Sequence, residues 1–350
     1  MVDWSIARSV ARLAAGGNEH GPAPFDVVAL TAEMEPHVSA YTGLELLSPV
    51  PPAEALSRAD WAAANLDGLT HILDPVAERL EDRLAFAGPL AGALRAGAGA
   101  TLAAEAGLVL GYISQRVLGQ YEVSLLGADA PPRLLFVGPN LAKAVTSMDV
   151  DPEAFGRWVC AHELTHVFQF QGVPWLRDHM RGLLRQYLAT VDVRIRRGDA
   201  GGLPSLPDLG RLVETFREGG LAGLVQTREQ RGLLGRVQSV MAVIEGYSEH
   251  VMDVVAERAI PAHEPLRAAM DARRRNRSAP ERVIERLLGF EAKLRQYEQG
   301  KRFSDAVVAE AGIEALNRVW RAPEALPSAE ELERPAAWIE RTKCPVIEAA

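Results

Sequence analysis

The chain has 350 residues, 48% of them apolar, and a formal net charge of -8. That apolar share supports a packed core, while the acidic balance offers no general basic field, so neither nucleic acid nor a membrane surface is expected as a partner. Cys160 and Cys344 are the only cysteines, too few for a disulfide framework or a cysteine-rich zinc module, and no window reaches the roughly 18 uninterrupted apolar residues of a membrane span, which together point to a cytoplasmic protein.

Taken in chain order, "MVDWSIARSVARLAAGG" interrupts its apolar pattern with Asp3, Arg8 and Arg12. It therefore reads as an amphipathic helix packing on the body, not as a signal peptide. Helical periodicity follows over 59–73 and 76–96, and again over 153–171, 178–196, 233–258, 281–298 and 304–320. Between these groups, "YEVSLL" (121–126) and "RLLFVG" (133–138) are short apolar runs split by the turn-rich "GADAPP", the pattern of two antiparallel strands. The second run ends in Gly138-Pro139-Asn140 and is read either as an ordinary buried strand or as a sheet edge that pairs with an extended substrate. Turn-rich stretches at 48–52, 198–210 and 322–328 are too short or too apolar for interdomain linkers, and no internal repeat is present. The basic run "RRRNR" (273–277) is read as a solvated helix end. The expected architecture is mainly α with a small β-sheet (α+β), a single domain over 1–350. A helical N-terminal part (1–120) leads into strands and chemistry-bearing helices (121–260) and a helical C-terminal part (261–350).

The stretch "VCAHELTHVFQF", residues 159–170, carries the chemistry. Upstream of it, Asp151 can cap a helix, Pro152 suits the first turn and Glu153 complements the positive end of the dipole. At about 100° per residue, His166 lies roughly 40° from His162, Gln169 about -20°, Thr165 about -60° and Glu163 about 100°. The polar groups thus share one side, and Cys160, Ala161, Leu164, Val167 and Phe168 make the remainder apolar and buried. A buried polar group without a partner costs about 1–3 kcal/mol, and one metal ion would satisfy both imidazoles. Side chains four apart on a helix project in parallel, so His162 and His166 can meet one ion. Glu163, rotated away, reaches a water instead and is the candidate general base. The competing reading is a satisfied polar pair on an ordinary helix.

A catalytic zinc usually takes three protein ligands plus water. The metzincin arrangement is excluded because Gln169 stands where its glycine belongs. His179, beyond the turn at "GVPW", is read as a surface or supporting histidine. Cys160 falls about 160° from the ligand side and is read as a buried structural thiol. The third ligand is sought in "VMAVIEGYSEHVMDVV" (240–255). There Glu249 and Asp253 fall about 40° and 80° from Glu245, with valines and Ile244 on the opposite wall. Met241 and Met252 flank Glu245 and imply partial burial, and two buried carboxylates repel unless a cation or donor lies between them. Gly246 would admit a close backbone approach. Glu245 is therefore assigned as third ligand and Glu249 as the group orienting a ligating imidazole through its other N–H, with Asp253 competing for that role. A solvated acidic face is the alternative.

At these residues the chain resembles the gluzincin branch of the zincin metallohydrolases, in which HExxH is followed by a helix bearing a glutamate ligand. "HELTH" with "EGYSE" looks like the thermolysin-type pairing, although 78 residues separate His166 from Glu245, far more than in thermolysin. A resemblance over almost the whole chain is carried by "RVLGQYEVSLLG", "RLLFVGPNL", "HELTHVFQFQGVPWLRDHM", "EGYSEHVMD" and the tail around "PEALPS". Those runs are similar to an uncharacterised bacterial family of zinc-dependent hydrolases with a zincin-like fold, some members of which are labelled as associated with deazaflavin coenzyme biosynthesis. The resemblance implies Zn2+ on His162, His166 and Glu245, with Glu163 as catalytic base.

The leading functional reading is a zinc metallohydrolase, a peptidase acting on amide bonds by zinc-activated water. Tyr247 and His250 face roughly 140–200° away from Glu245, so the donor that stabilises the tetrahedral intermediate stays unassigned. One rival keeps the zinc but hydrolyses a small-molecule amide. Another is a helical scaffold whose metal site is structural or inactive, against which the intact Glu163 argues.

Overall fold

The structure, a computed structural model, describes residues 2–16, 21–84, 91–125, 131–190, 228–261, 263–275 and 290–343. The turn-rich stretch at 198–210, residues 276–277 of the basic run, residues 281–289 and Cys344 lie outside them. In chain order, α1 (Trp4–Ala14) and α2 (Val27–Thr42) precede β1 (Ala53–Leu56), which is followed by α3 (Arg58–Leu84) and α4 (Ala91–Ser114). Then come β2 (Gly119–Glu122), β3 (Arg133–Val137), α5 (Gly138–Met148), α6 (Pro152–Gly172) and α7 (Pro174–Thr190). The remaining long helices are α8 (Arg228–Ala259), α9 (His263–Arg275) and α10 (Phe290–Ala311). Short helices α11 (Ile313–Leu316), α12 (Ala329–Glu333) and α13 (Pro335–Thr342) close the described chain. The described residues are thus predominantly helical with one small sheet, and no described helix is long and apolar enough to cross a membrane.

The sheet has the order β1-β3-β2, with β1 parallel and β2 antiparallel to β3. An antiparallel pair is present, but its first strand is Gly119–Glu122 and not the expected 121–126, and β1 adds a strand that "AEAL", short and alanine-rich, does not announce in sequence. Its presence corrects the idea that the 133–138 run is a sheet edge open to substrate: β3 is central and both of its edges are paired. Leu134, Leu135, Phe136 and Val137 are all fully buried, as expected of a strand covered on both faces. Leu134 and Phe136 enter the main apolar core with α2, α6, α8 and α10. Leu135 and Val137, on the alternate face, pack with residues of α1, α3 and α4.

Several helix boundaries differ from the periodicity reading. Helix α3 runs unbroken through Asp74-Pro75, where the sequence argues a break. Helix α2, capped by Asp26 onto the N–H groups of Val28 and Ala29, contains Pro36 and escapes sequence detection. It persists because Leu30, Met34 and Val38 are buried against α6, and tertiary burial outweighs the lost bond. Helix α10 stops at Ala311, short of the expected 320, because Gly312 adopts φ 81° and ψ 170°, a backbone conformation open to glycine that cannot continue the helical path. Gly246 does admit a close approach, though from an unexpected neighbour: a Cβ there would lie 2.1 Å from the carbonyl carbon of Gly300. The backbones of α8 and α10 thus cross at two glycines, and this crossing positions the α8 face that carries Glu245.

Candidate metal centre

Helix α6 begins as its sequence dictates, with Asp151 accepting from the Ala154 N–H at 2.7 Å and Pro152 in the first turn. The helix is buried on nearly all sides, and His166, Thr165 and Gln169 are buried polar residues within it. Helix α8 packs across it and brings Glu245 to the two histidines. The Nε2 atoms of His162 and His166 lie 3.2 Å apart, and Glu245 Oε2 is 3.7 Å from the first and 3.8 Å from the second. A tetrahedral ion bonded at about 2.0–2.1 Å spaces its ligands about 3.4 Å apart, so this triangle has the size such an ion requires. Among the described residues, these three are the His, Cys, Asp or Glu side chains that converge as a possible metal set.

Glu163 is buried beside this triangle, one position after His162. Burial pushes its carboxyl up to about 7, opposed by His166, reinforced by Glu245, and opposed again by the Tyr121 N–H. That N–H donates to Glu163 Oε2 at 3.1 Å. In the β2–β3 ladder the Val137 N–H donates to the Leu118 carbonyl, so alternation turns the backbone groups of Gly119 and Tyr121 outward, toward α6. A Cβ on Gly119 would fall 2.7 Å from Glu163 Cγ; only glycine lets β2 lie this close to the carboxylate. Sequence reasoning missed both contacts, although a glycine opening a strand is a recognised sign of close backbone approach.

His166 is held from its other side by Gln169, whose Oε1 is 2.9 Å from His166 Nδ1. Ser248 Oγ stands 3.2 Å from the same nitrogen, and Gln169 Nε2 donates to the Ile244 carbonyl at 2.9 Å. Gln169 had entered the sequence argument as a polar residue on the histidine side of the helix and as the residue standing where a metzincin has glycine, with no role of its own. Neither Glu249 nor Asp253 occupies this position at His166. Glu249 lines the cavity in front of the triangle and acts electrostatically on Arg267. Asp253 is corrected to a different role: it pairs with Arg267 and, at 3.0 Å, with Lys301, because α9 and α10 bring those cations against its part of α8.

Tyr247 and His250 face away from the triangle, as the helical geometry predicts. The Tyr247 hydroxyl donates to Asn317 at 2.8 Å. His250 lies between Asp305 Oδ1 (2.7 Å from Nδ1) and the Tyr41 hydroxyl (2.6 Å from Nε2). Cys160 is a buried thiol pushed up to about 12, chiefly by desolvation, and His179 packs edge-on against Trp175. The cavity in front of the triangle has a volume of about 500 Å³. Leu118 and Gly119 form one wall, Trp158, Met252 and Met270 supply apolar surface, and His162, Glu163, Glu245, Glu249 and Glu298 supply polar groups.

The sequence pattern of the zincin-like metallopeptidases matches residues 2–339. A solved structure from Chloroflexus aurantiacus, provisionally described as a hydrolase with a novel fold, is similar at 31% identity with a TM-score of 0.72, covering 99% of this chain and 100% of that one. No curated protein matches the chain.

Proposed function

Because the chain belongs to the zincin-like metallopeptidase family, we propose that it is a zinc-dependent hydrolase cleaving amide bonds, with His162, His166 and Glu245 as zinc ligands and Glu163 as general base. The observation that carries this reading is the donor triangle of 3.2, 3.7 and 3.8 Å with a buried carboxylate beside it. Two imidazoles and one carboxylate are the donor set of an open catalytic zinc site. When bound there, zinc supplies Lewis acidity toward a carbonyl and toward water.

The chain's own groups supply the rest. Glu163 takes the proton of the attacking water and returns it to the leaving nitrogen. The Tyr121 N–H fixes the direction of that carboxylate, and β2 shields it from bulk solvent. A raised proton affinity suits the second half of this cycle, in which Glu163 must hold a proton before releasing it. Glu249, one turn beyond Glu245 on the cavity wall, is the proposed partner for the remaining ring nitrogen of His162. Apolar surface from Trp158, Met252 and Met270 fits the side chains of a peptide segment.

The cavity volume also favours a second reading, since about 500 Å³ lies within the range of small-molecule sites, and a compact amide would fill it as well as a short peptide. A panel of peptides and small acyl amides separates the two. The decisive experiment combines metal analysis with turnover. Wild-type protein should hold one zinc per chain, His162→Ala should lose it, and Glu163→Gln should keep it while losing about 10²–10⁴-fold in kcat. Zinc retained by His162→Ala, or full turnover by Glu163→Gln, would remove the assignment.

A further inference from the structure

The polar contacts behind His166 determine which of its nitrogens carries the proton. The Ile244 carbonyl can only accept, and it lies 2.9 Å from Gln169 Nε2. Turning the Gln169 amide over would set two acceptor oxygens against each other in a buried site, so the amide orientation is fixed. Its Oε1 therefore faces His166 Nδ1 at 2.9 Å, and that nitrogen must be the donor. Ser248 does not disturb this. Its single hydroxyl proton can go to the Ile244 carbonyl at 2.9 Å or to Gln169 Oε1 at 3.2 Å, and its oxygen can accept from His166 Nδ1–H at 3.2 Å. A Ser248 proton directed at Nδ1 would leave that nitrogen and Gln169 Oε1 as two acceptors 2.9 Å apart. With the proton on Nδ1, the lone pair sits on Nε2, the atom facing Glu245 and His162. The anchor is also adjacent in sequence to a proposed ligand, since Ile244 precedes Glu245. The bond from Gln169 to Ile244 therefore ties α6 to α8 at the level where the three donors converge.

We propose that Gln169 is the positioning residue of the centre: through the Ile244 carbonyl it locks His166 in the Nδ1–H tautomer and holds α6 and α8 in register, so the donor triangle is set before any metal arrives. This rests on the reading of His162, His166 and Glu245 as metal ligands, but the tautomer itself is a property of the metal-free protein.

Two measurements test it. In metal-free protein labelled with ¹⁵N-histidine, with the ring neutral and His166 identified by the signals lost in His166→Gln, long-range ¹H–¹⁵N spectra should show the proton on Nδ1. In Gln169→Met, which keeps the volume but not the amide, the same ring should show a mixture of tautomers. Zinc affinity measured by chelator competition should fall about 10–100-fold, with the circular dichroism spectrum unchanged. Ser248→Ala, which spares the amide clamp, should still show the proton of His166 on Nδ1. A proton found on Nε2, or zinc affinity unchanged in folded Gln169→Met, overturns the proposal. If wild-type protein fails to bind zinc, the metal reading fails by itself, and the tautomer measurement still decides the role of Gln169.

Discussion

Glu163 shows how one residue acquires its properties from neighbours that sequence spacing does not reveal. Its place after His162 is legible at once. Its raised proton affinity is not, because that comes from burial beneath β2 and from Glu245, which is remote in sequence. The folded state keeps a proton on this carboxyl up to about pH 7, whereas the unfolded chain releases it near the ordinary value of 4.5. In the metal-free protein this group therefore costs stability progressively as pH rises from 4.5 through 7, by up to about 3 kcal/mol. The melting temperature of metal-free wild type should fall relative to that of Glu163→Gln across this window, and parallel pH profiles for the two would contradict the assigned burial. At the same scale, Gly119→Ala places a methyl 2.7 Å from Glu163 Cγ. The carboxylate is a side chain that can swing aside, so the cost should appear as lost catalysis with the fold preserved. A drop of at least about 10-fold in kcat with unchanged zinc content is expected, and steady-state kinetics alongside metal analysis would reveal it.

At the scale of elements, helix α8 combines a ligand face, an apolar wall and a crossing point within one turn. Glycine content alone predicts that alanine replacements stabilise a helix by about 1 kcal/mol each. That should hold for Gly232→Ala, where a Cβ meets nothing within 4 Å. At Gly246 the added Cβ would lie 2.1 Å from the Gly300 carbonyl carbon and 2.4 Å from its oxygen. Backbone cannot move aside as a side chain does, so overpacking should prevail and destabilise by about 2 kcal/mol or more. Calorimetry on the two variants should give shifts of opposite sign, although both are glycine-to-alanine changes in the same helix. The sequence hints at the Gly246 approach without naming the partner. Its identity depends on Gly300, which lies 54 residues further along the chain. The same limit explains Asp253. On the helical wheel it shares a side with Glu245, but α9 and α10 carry Arg267 and Lys301 to it, and two cations at contact outweigh the pull of a ligating histidine on α6.

For the whole molecule, the main apolar core spans α2, α6, α8, α10 and one face of β3. The proposed zinc ligands join two helices that this core already holds together. Metal removal should therefore leave the helical spectrum intact, unlike a zinc finger, whose fold depends on the ion. It should still lower the melting temperature, since zinc at about 100 times its dissociation constant adds about 2.7 kcal/mol to the folded state. The shift should be restored by returning zinc and be absent in His162→Ala. Loss of helical signal on chelation would instead make the metal a structural requirement.

What the sequence by itself determined is the part governed by short-range periodicity. The helical character, the antiparallel β2–β3 pair, the capped α6 and the common side of His162 and His166 all follow from spacings of one to four residues and from local caps. The approach of Glu245 to the histidines was also legible, because methionines flank its carboxylate on a helix whose opposite wall is apolar, and a half-buried carboxylate needs a partner. Only the tertiary structure decided that β3 is central, that β2 covers Glu163 through Gly119, and that Gln169 rather than Glu249 or Asp253 stands behind His166. Those outcomes depend on which backbone groups face one another across elements distant in sequence, and hydrogen bonds of about 3 Å register that placement where a pattern of residue types cannot.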